Sequence, residues 1–153
     1  MASSARKHSL PEFLNGIVTH EAYAKWLKRK AAAHLKRDRL GGNKSATGEA
    51  YRTKIHQAVC ASSGRDAYTG EMLDWNLISK FNNDEAKLRG RAYKHEFAML
   101  PTVDHVVARR AEAEFLICAW KTNDAKSDLE YEDFVDLCKK VLNYASTVRA
   151  HKT

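Results

Sequence analysis

Between residues 20 and 35 the apolar side chains fall at helical spacing. Tyr23, Trp26, Leu27, Ala31 and Leu35 share a stripe, and lysines and arginines fill the other faces. A long helix is therefore predicted to open after Thr19, whose hydroxyl suits the cap position, and to stop at the paired glycines of "LGGNKSA", 40–46. Thr47 caps a second predicted helix, on which Tyr51, Ile55 and Val59 recur every four residues. Upstream, Ser9 is a candidate cap for a short helix with Pro11 in its first turn. "SSGRDAYTGEML" reads as a turn or short hairpin leading to "LDWNLI". "DEAKLRGRAYKHEF" reads as a basic helical segment from Asp84, weakened by its internal Gly90.

The pattern then shortens. "FAMLPTV", 97–103, predicts a strand that Pro101 confines to an edge or interrupts, because proline has no amide proton to donate. "FLIC", 115–118, predicts a second strand, with a loop over 106–114 between them. Residues 119–128 predict a short helix, and "YEDFVDLCKKVLNYA" a final one whose buried face is Phe134, Leu137, Cys138, Val141 and Leu142. Helices, a small strand pair, then helices again give an α+β fold class, mainly helical. Residues 1–62 form a basic helical part; 63–153 carry the strand pair, a basic insertion at about 80–97 and the final helix, the whole folding as one compact unit.

With 153 residues, 44% of them hydrophobic and 29% charged, the chain suits one packed core and not a disordered tail. No apolar run approaches the ~20 residues of a membrane span. "MASSARKHSLPEF" lacks the apolar stretch of a secretory signal, so a cytoplasmic protein is expected, with no membrane partner. Cys60, Cys118 and Cys138 lie far apart without C-x-x-C pairing, which predicts reduced thiols acting as small buried hydrophobes. The net charge of +7 is concentrated: from Glu21 to Arg52 nine lysines and arginines face three acids, +6 in all. Lys28, Arg29, Lys30, Lys36, Arg37, Arg39 and Arg52 are the candidate contacts to a polyanion, double-stranded DNA first and RNA as an alternative.

The candidate chemistry lies at the end of the first strand. Neighbours on an extended segment point to opposite sides, so Asp104 and His105 can do separate work. Asp104 is suited to a hard divalent cation, His105 to taking a proton from an attacking water, and Asn123 to supplying a second oxygen ligand from the next helix. Lys126, one turn further, can reach a phosphate oxygen. A metal so held orients a phosphodiester and offsets the charge that develops on it. His34 and His56 lie on the basic faces, within phosphate reach; His95 of the insertion is a candidate to join the site.

"VDH", "EFLIC" and "TNDAKSD", with "AYTGEMLDWNLI" upstream, resemble the ββα-metal core of HNH endonucleases. They are most similar to the version in RNA-guided CRISPR nucleases, where a "DH" strand end precedes an "N-x-x-K-S-D" helix. The resemblance covers about residues 60–128 and leaves the N-terminal part unmatched. It implies a metal-dependent DNA endonuclease with His105 as general base and Asp104 and Asn123 as metal ligands. The ion implied is Mg²⁺ or Mn²⁺, with Zn²⁺ or Ni²⁺ as alternatives. Tyr68, Thr69 and Gly70 would form the buttressing turn. Two departures stand out: the family's middle asparagine falls at Glu114, a candidate support residue, and a basic insertion lengthens the path from Tyr68 to Asp104. The rival reading is a non-catalytic DNA-binding protein in which the two basic N-terminal helices form a helix-turn-helix.

Overall fold

The computed structural model describes residues 7–107 and 111–150. It is mainly helical with one two-stranded antiparallel sheet: α1 (His20–Leu40), α2 (Gly48–Ser62), α3 (Asn83–Arg89), α4 (Arg91–Glu96), β1 (Pro101–His105), β2 (Phe115–Ala119), α5 (Trp120–Lys126) and α6 (Tyr131–Ala150). Short 3₁₀ turns occupy Glu12–Leu14 and Trp75–Ser79. Among the described residues no helix is long and apolar enough to cross a membrane.

The first two helices begin where their caps lie. Thr19 Oγ1 accepts from Ala22 N at 3.1 Å and Thr47 Oγ1 from Ala50 N at 3.2 Å, each satisfying an amide that the first turn leaves without a helical partner. The stripe on α1 and the stripe Tyr51, Ile55, Val59 on α2 face each other, and α2 packs its other flank on β2. Trp26, 1% exposed, meets Trp75 edge-on at 5.6 Å, so the 3₁₀ turn after the "YTG" segment closes the same core. Core residues come from both the N-terminal helices and the segment after residue 62.

Pro101 stands at the first position of β1, where a missing amide costs no ladder bond. The register pairs Pro101 with Ala119 and His105 with Phe115, which delivers Asp104 and His105 to the open end of the sheet. A buried carboxylate ties the segments around this sheet together. Asp66 accepts from Tyr68 N (2.7 Å), Thr69 N (3.0 Å), Ala119 N (2.8 Å) and Thr122 Oγ1 (2.7 Å), joining the turn at 66–70 to the end of β2 and the start of α5. Gly70 takes φ +73° to close that turn, a conformation a side chain would strain.

Several expectations change. Pro11 precedes a 3₁₀ turn instead of opening a helix capped by Ser9. Of the turn or short hairpin expected at 62–73, the turn forms, closed by the isolated bridge Arg65–Met72. Asn82, not Asp84, caps the insertion, and Gly90 at φ +54° splits it into α3 and α4. α6 forms, but none of its residues is buried: Leu137, Val141 and Leu142 are 46%, 61% and 67% exposed. Cys118 is buried, whereas Cys60 and Cys138 are exposed, because Cys60 falls one residue past the Tyr51–Val59 stripe and Cys138 sits on α6. The helix-turn-helix form does not arise either. Residues 41–47 make a longer connection than its three- to four-residue turn.

Candidate active site

Two hydrogen-bonded chains meet at the end of β1, one on each side of the strand. On one side Tyr51 donates its hydroxyl to Asp38, and the same carboxylate oxygen of Asp38 lies 2.8 Å from His105 Nε2. Asp38 is 0% exposed, at the buried face of α1. An ionised carboxylate only accepts, so Nε2 carries the proton and, in the neutral ring, Nδ1 keeps its lone pair. Nδ1 is buried and has no hydrogen-bond partner among the described residues. The ring is wedged edge-on against Phe115 at 5.1 Å, with the His34 ring 6.1 Å away.

On the other side Tyr68 donates its hydroxyl to Asp104 Oδ2, and Lys126 Nζ stands 3.3 Å from the same oxygen. Asp104 and Lys126 are 6% and 3% exposed, so this is an ion pair held out of solvent. Burial, followed by the bond to Asp104, pushes the Tyr68 hydroxyl well above the usual phenol range. Burial also pushes the nearby Cys118 thiol up, helped by Asp104 and Asp66, which keeps it protonated and removes it as a nucleophile.

Between the two chains lies a polar pocket of about 380 Å³. His34, Arg37, Asp104, His105, Asn123 and Lys126 all line it. Residues predicted from "VDH" and "TNDAKSD" therefore share one cavity, Asn123 entering from α5. Of the basic residues on α1, Arg37 is the one at this rim, while Lys28, Arg29, Lys36 and Arg39 are exposed along the helix. Arg39 also donates to Ala46 O at 3.1 Å, and Arg52 is half-buried on α2.

Five predicted residues are placed differently. Lys30 points inward and donates to Thr102 Oγ1 at 3.2 Å; burial pushes its ammonium down to about 8, so it supports the fold and not a polyanion. Glu114 is exposed, and its contribution is a backbone carbonyl accepting from Val106 N at 3.0 Å; Asp38 holds the His105 ring instead. His34 is buried, with Nε2 3.1 Å from Val103 O, and is not on a solvent-facing phosphate surface. His56 is half-buried against Tyr23 (2.7 Å), and His95 is exposed on α4, away from the pocket.

The reading from sequence missed Asp38 and Tyr51. Their signal is the continuation of the core stripe of α1 through His34 and Asp38, polar residues at positions where the pattern calls for apolar ones. Among the described residues no group of three His, Cys, Asp or Glu is arranged to hold a metal ion. The oxygen donors on the pocket wall that carry the metal expectation are one carboxylate, Asp104, and one carboxamide, Asn123. Comparison of the chain with protein-family models, with curated proteins and with solved structures gives no match.

Proposed function

We propose that this protein is a metal-dependent endonuclease of the HNH type, hydrolysing phosphodiester bonds in double-stranded DNA. What carries the reading is the orphaned Nδ1 of His105, beside a pocket that also gathers Asp104, Asn123, Arg37 and Lys126. A buried nitrogen without a partner costs about 1–3 kcal/mol, a cost offset where a water or substrate occupies it. The donor set fits a hard ion: a carboxylate and a carboxamide suit Mg²⁺ or Mn²⁺ with waters completing the shell. Zn²⁺ and Ni²⁺ fit less well, because no thiol lines the pocket and the donors offered by Asp104 and Asn123 are hard oxygens. Asp104 and Asn123 are the residues that would hold the ion, which would supply positive charge to the phosphodiester.

The chain's own groups do the rest. His105 Nδ1 takes a proton from the attacking water, whose oxygen bonds to phosphorus as the P–O3′ bond breaks. The departing 3′ oxygen takes a proton from solvent, leaving a 5′-phosphate and a 3′-hydroxyl. Asp38 fixes the ring's tautomer and balances the imidazolium as it forms, and Tyr51 orients Asp38. Arg37 at the rim, with the exposed Lys28, Arg29 and Lys36, attracts and positions the duplex backbone. Nicking of supercoiled plasmid with Mg²⁺ or Mn²⁺, stopped by chelator, tests this. His105→Ala abolishes cutting and leaves duplex binding intact.

One contact favours a second reading, a DNA-binding protein without catalysis: the Lys126 ammonium already neutralises Asp104. That protein binds duplex equally well with and without divalent ions and never cuts it.

A further inference from the structure

A second cavity, of about 170 Å³, opens between α1 and the start of β1. Trp26, Phe81 and Trp120 give it an aromatic wall, and its polar side chains are all donors: Arg29, Lys30 and the Thr102 hydroxyl. Lys30 turns its amine inward and donates to Thr102 Oγ1 at 3.2 Å. Among the described residues no carboxylate pairs with Lys30 or with Arg29, so two like charges stand on one turn of the helix. Burial, then the charges of Arg29 and Arg37, push the Lys30 ammonium down to about 8, against a smaller upward pull from Cys118 on β2. From an ordinary value of 10.5, this raises the share of neutral amine roughly two-hundredfold at about pH 7.5.

One more donor on this wall lacks an acceptor. Trp26 is 1% exposed, and its Nε1 is buried with no hydrogen-bond partner among the described residues. A buried N–H left so is costly, and an oxygen brought into the cavity relieves it. The wall selects what brings that oxygen. A free anion has to shed its water to enter between aromatic rings, whereas carbon dioxide is small, uncharged and apolar, and becomes an anion only once it has reacted.

We propose that Lys30 is a carbamylation site, at which Nζ adds carbon dioxide to give a carbamate held by Arg29, Thr102 and Trp26. The amine lone pair bonds to the carbon, one C–O π pair moves onto oxygen, and one N–H proton passes to solvent. Amine and carbon dioxide thus give a carbamate and a proton, with nothing oxidised or reduced. The new carboxylate turns the like-charge pair into an ion pair with Arg29, and the Thr102 hydroxyl, which accepts from the amine, donates to the carbamate instead. The site lies at the opposite end of β1 from His105 and stands apart from the endonuclease reading.

Chemical trapping on the folded wild-type chain tests it. Protein equilibrated with carbon-13 bicarbonate at about pH 7.5 is treated with triethyloxonium, which caps a carbamate as its ethyl ester, and its peptides are mapped by mass spectrometry. The capped adduct forms on Lys30 at least about tenfold more than on Lys28 and Lys36, which are exposed on the same helix. Arg29→Ala, a change at an exposed position, lowers Lys30 occupancy about fivefold. Lys30→Met, checked by circular dichroism, loses the carbamate resonance in carbon-13 spectra; should that variant fail to fold, the wild-type peptide map decides by itself. No adduct on Lys30, an adduct shared evenly with Lys28 and Lys36, one indifferent to Arg29→Ala, or a resonance that survives in folded Lys30→Met overturns the proposal.

Discussion

Replacing Asp38 by asparagine removes one charge from the site and keeps its shape. In the proposed reaction the imidazole of His105 becomes an imidazolium as it takes the water's proton, and the Asp38 oxygen stands 2.8 Å from its Nε2. Taking the two charge centres as ~4 Å apart and an effective dielectric of ~20, the attraction is roughly 4 kcal/mol. At about 1.4 kcal/mol per decade, losing it slows the chemical step roughly a thousandfold. The ground state makes no such demand, since a neutral ring donates to an amide oxygen nearly as well. The loss therefore falls on kcat, with KM for DNA little changed. Tyr51→Phe, which removes only the hydroxyl bonded to Asp38, costs about 1 kcal/mol and roughly a factor of five. Single-turnover nicking of supercoiled plasmid under saturating Mg²⁺ measures both variants, with thermal melts confirming the fold. An Asp38→Asn protein that is folded and cuts within threefold of wild type refutes the role of the carboxylate.

Three other outcomes follow from the contacts. Lys126→Met leaves Asp104 without its ammonium and raises Mn²⁺ affinity by roughly tenfold, read by calorimetric titration; unchanged affinity means the ion does not contact Asp104. Asp66→Ala breaks four hydrogen bonds to a buried carboxylate and destabilises the fold by about 3–5 kcal/mol in urea unfolding, and a loss under 1 kcal/mol sinks that account. Lys30 holds its proton less tightly folded, near 8, than unfolded, near 10.5, so between those values the unfolded chain binds more protons and stability rises with pH. Lys30→Met removes this rise, on the order of 2–3 kcal/mol, when urea midpoints are compared from pH 7 to 10.5; parallel curves for the two proteins contradict it.

Local signals carried far into this fold. Thr19 and Thr47 mark helix starts because a hydroxyl acceptor at the cap is a short-range effect, and Pro101 marks a strand start for an equally local reason. Asp104, His105 and Asn123 were legible as a set because strand alternation and the following helix bring them to one pocket. Asp38 was not, since its partner is 67 residues away and its neighbours Arg37 and Arg39 make it look like one more charge on a solvated face. Lys30 was misjudged for the same reason, as composition counts a charge without saying which way it points. On α6 the periodicity foretold an apolar face but not whether the chain itself would cover it.

The imidazole's counter-charge comes from the first helix, while the imidazole itself stands 67 residues further along the chain, on β1. The helical half is thus no detachable grip. A fragment cut after Ser62 would retain the Asp-His pair and the asparagine, so inspection of its motifs would pass it as intact. It would nonetheless have lost the carboxylate that the proposed reaction sets beside its base, along with the wall of aromatic and aliphatic side chains that buries that carboxylate. Searching for such centres by the short signature alone would count severed copies and whole ones alike.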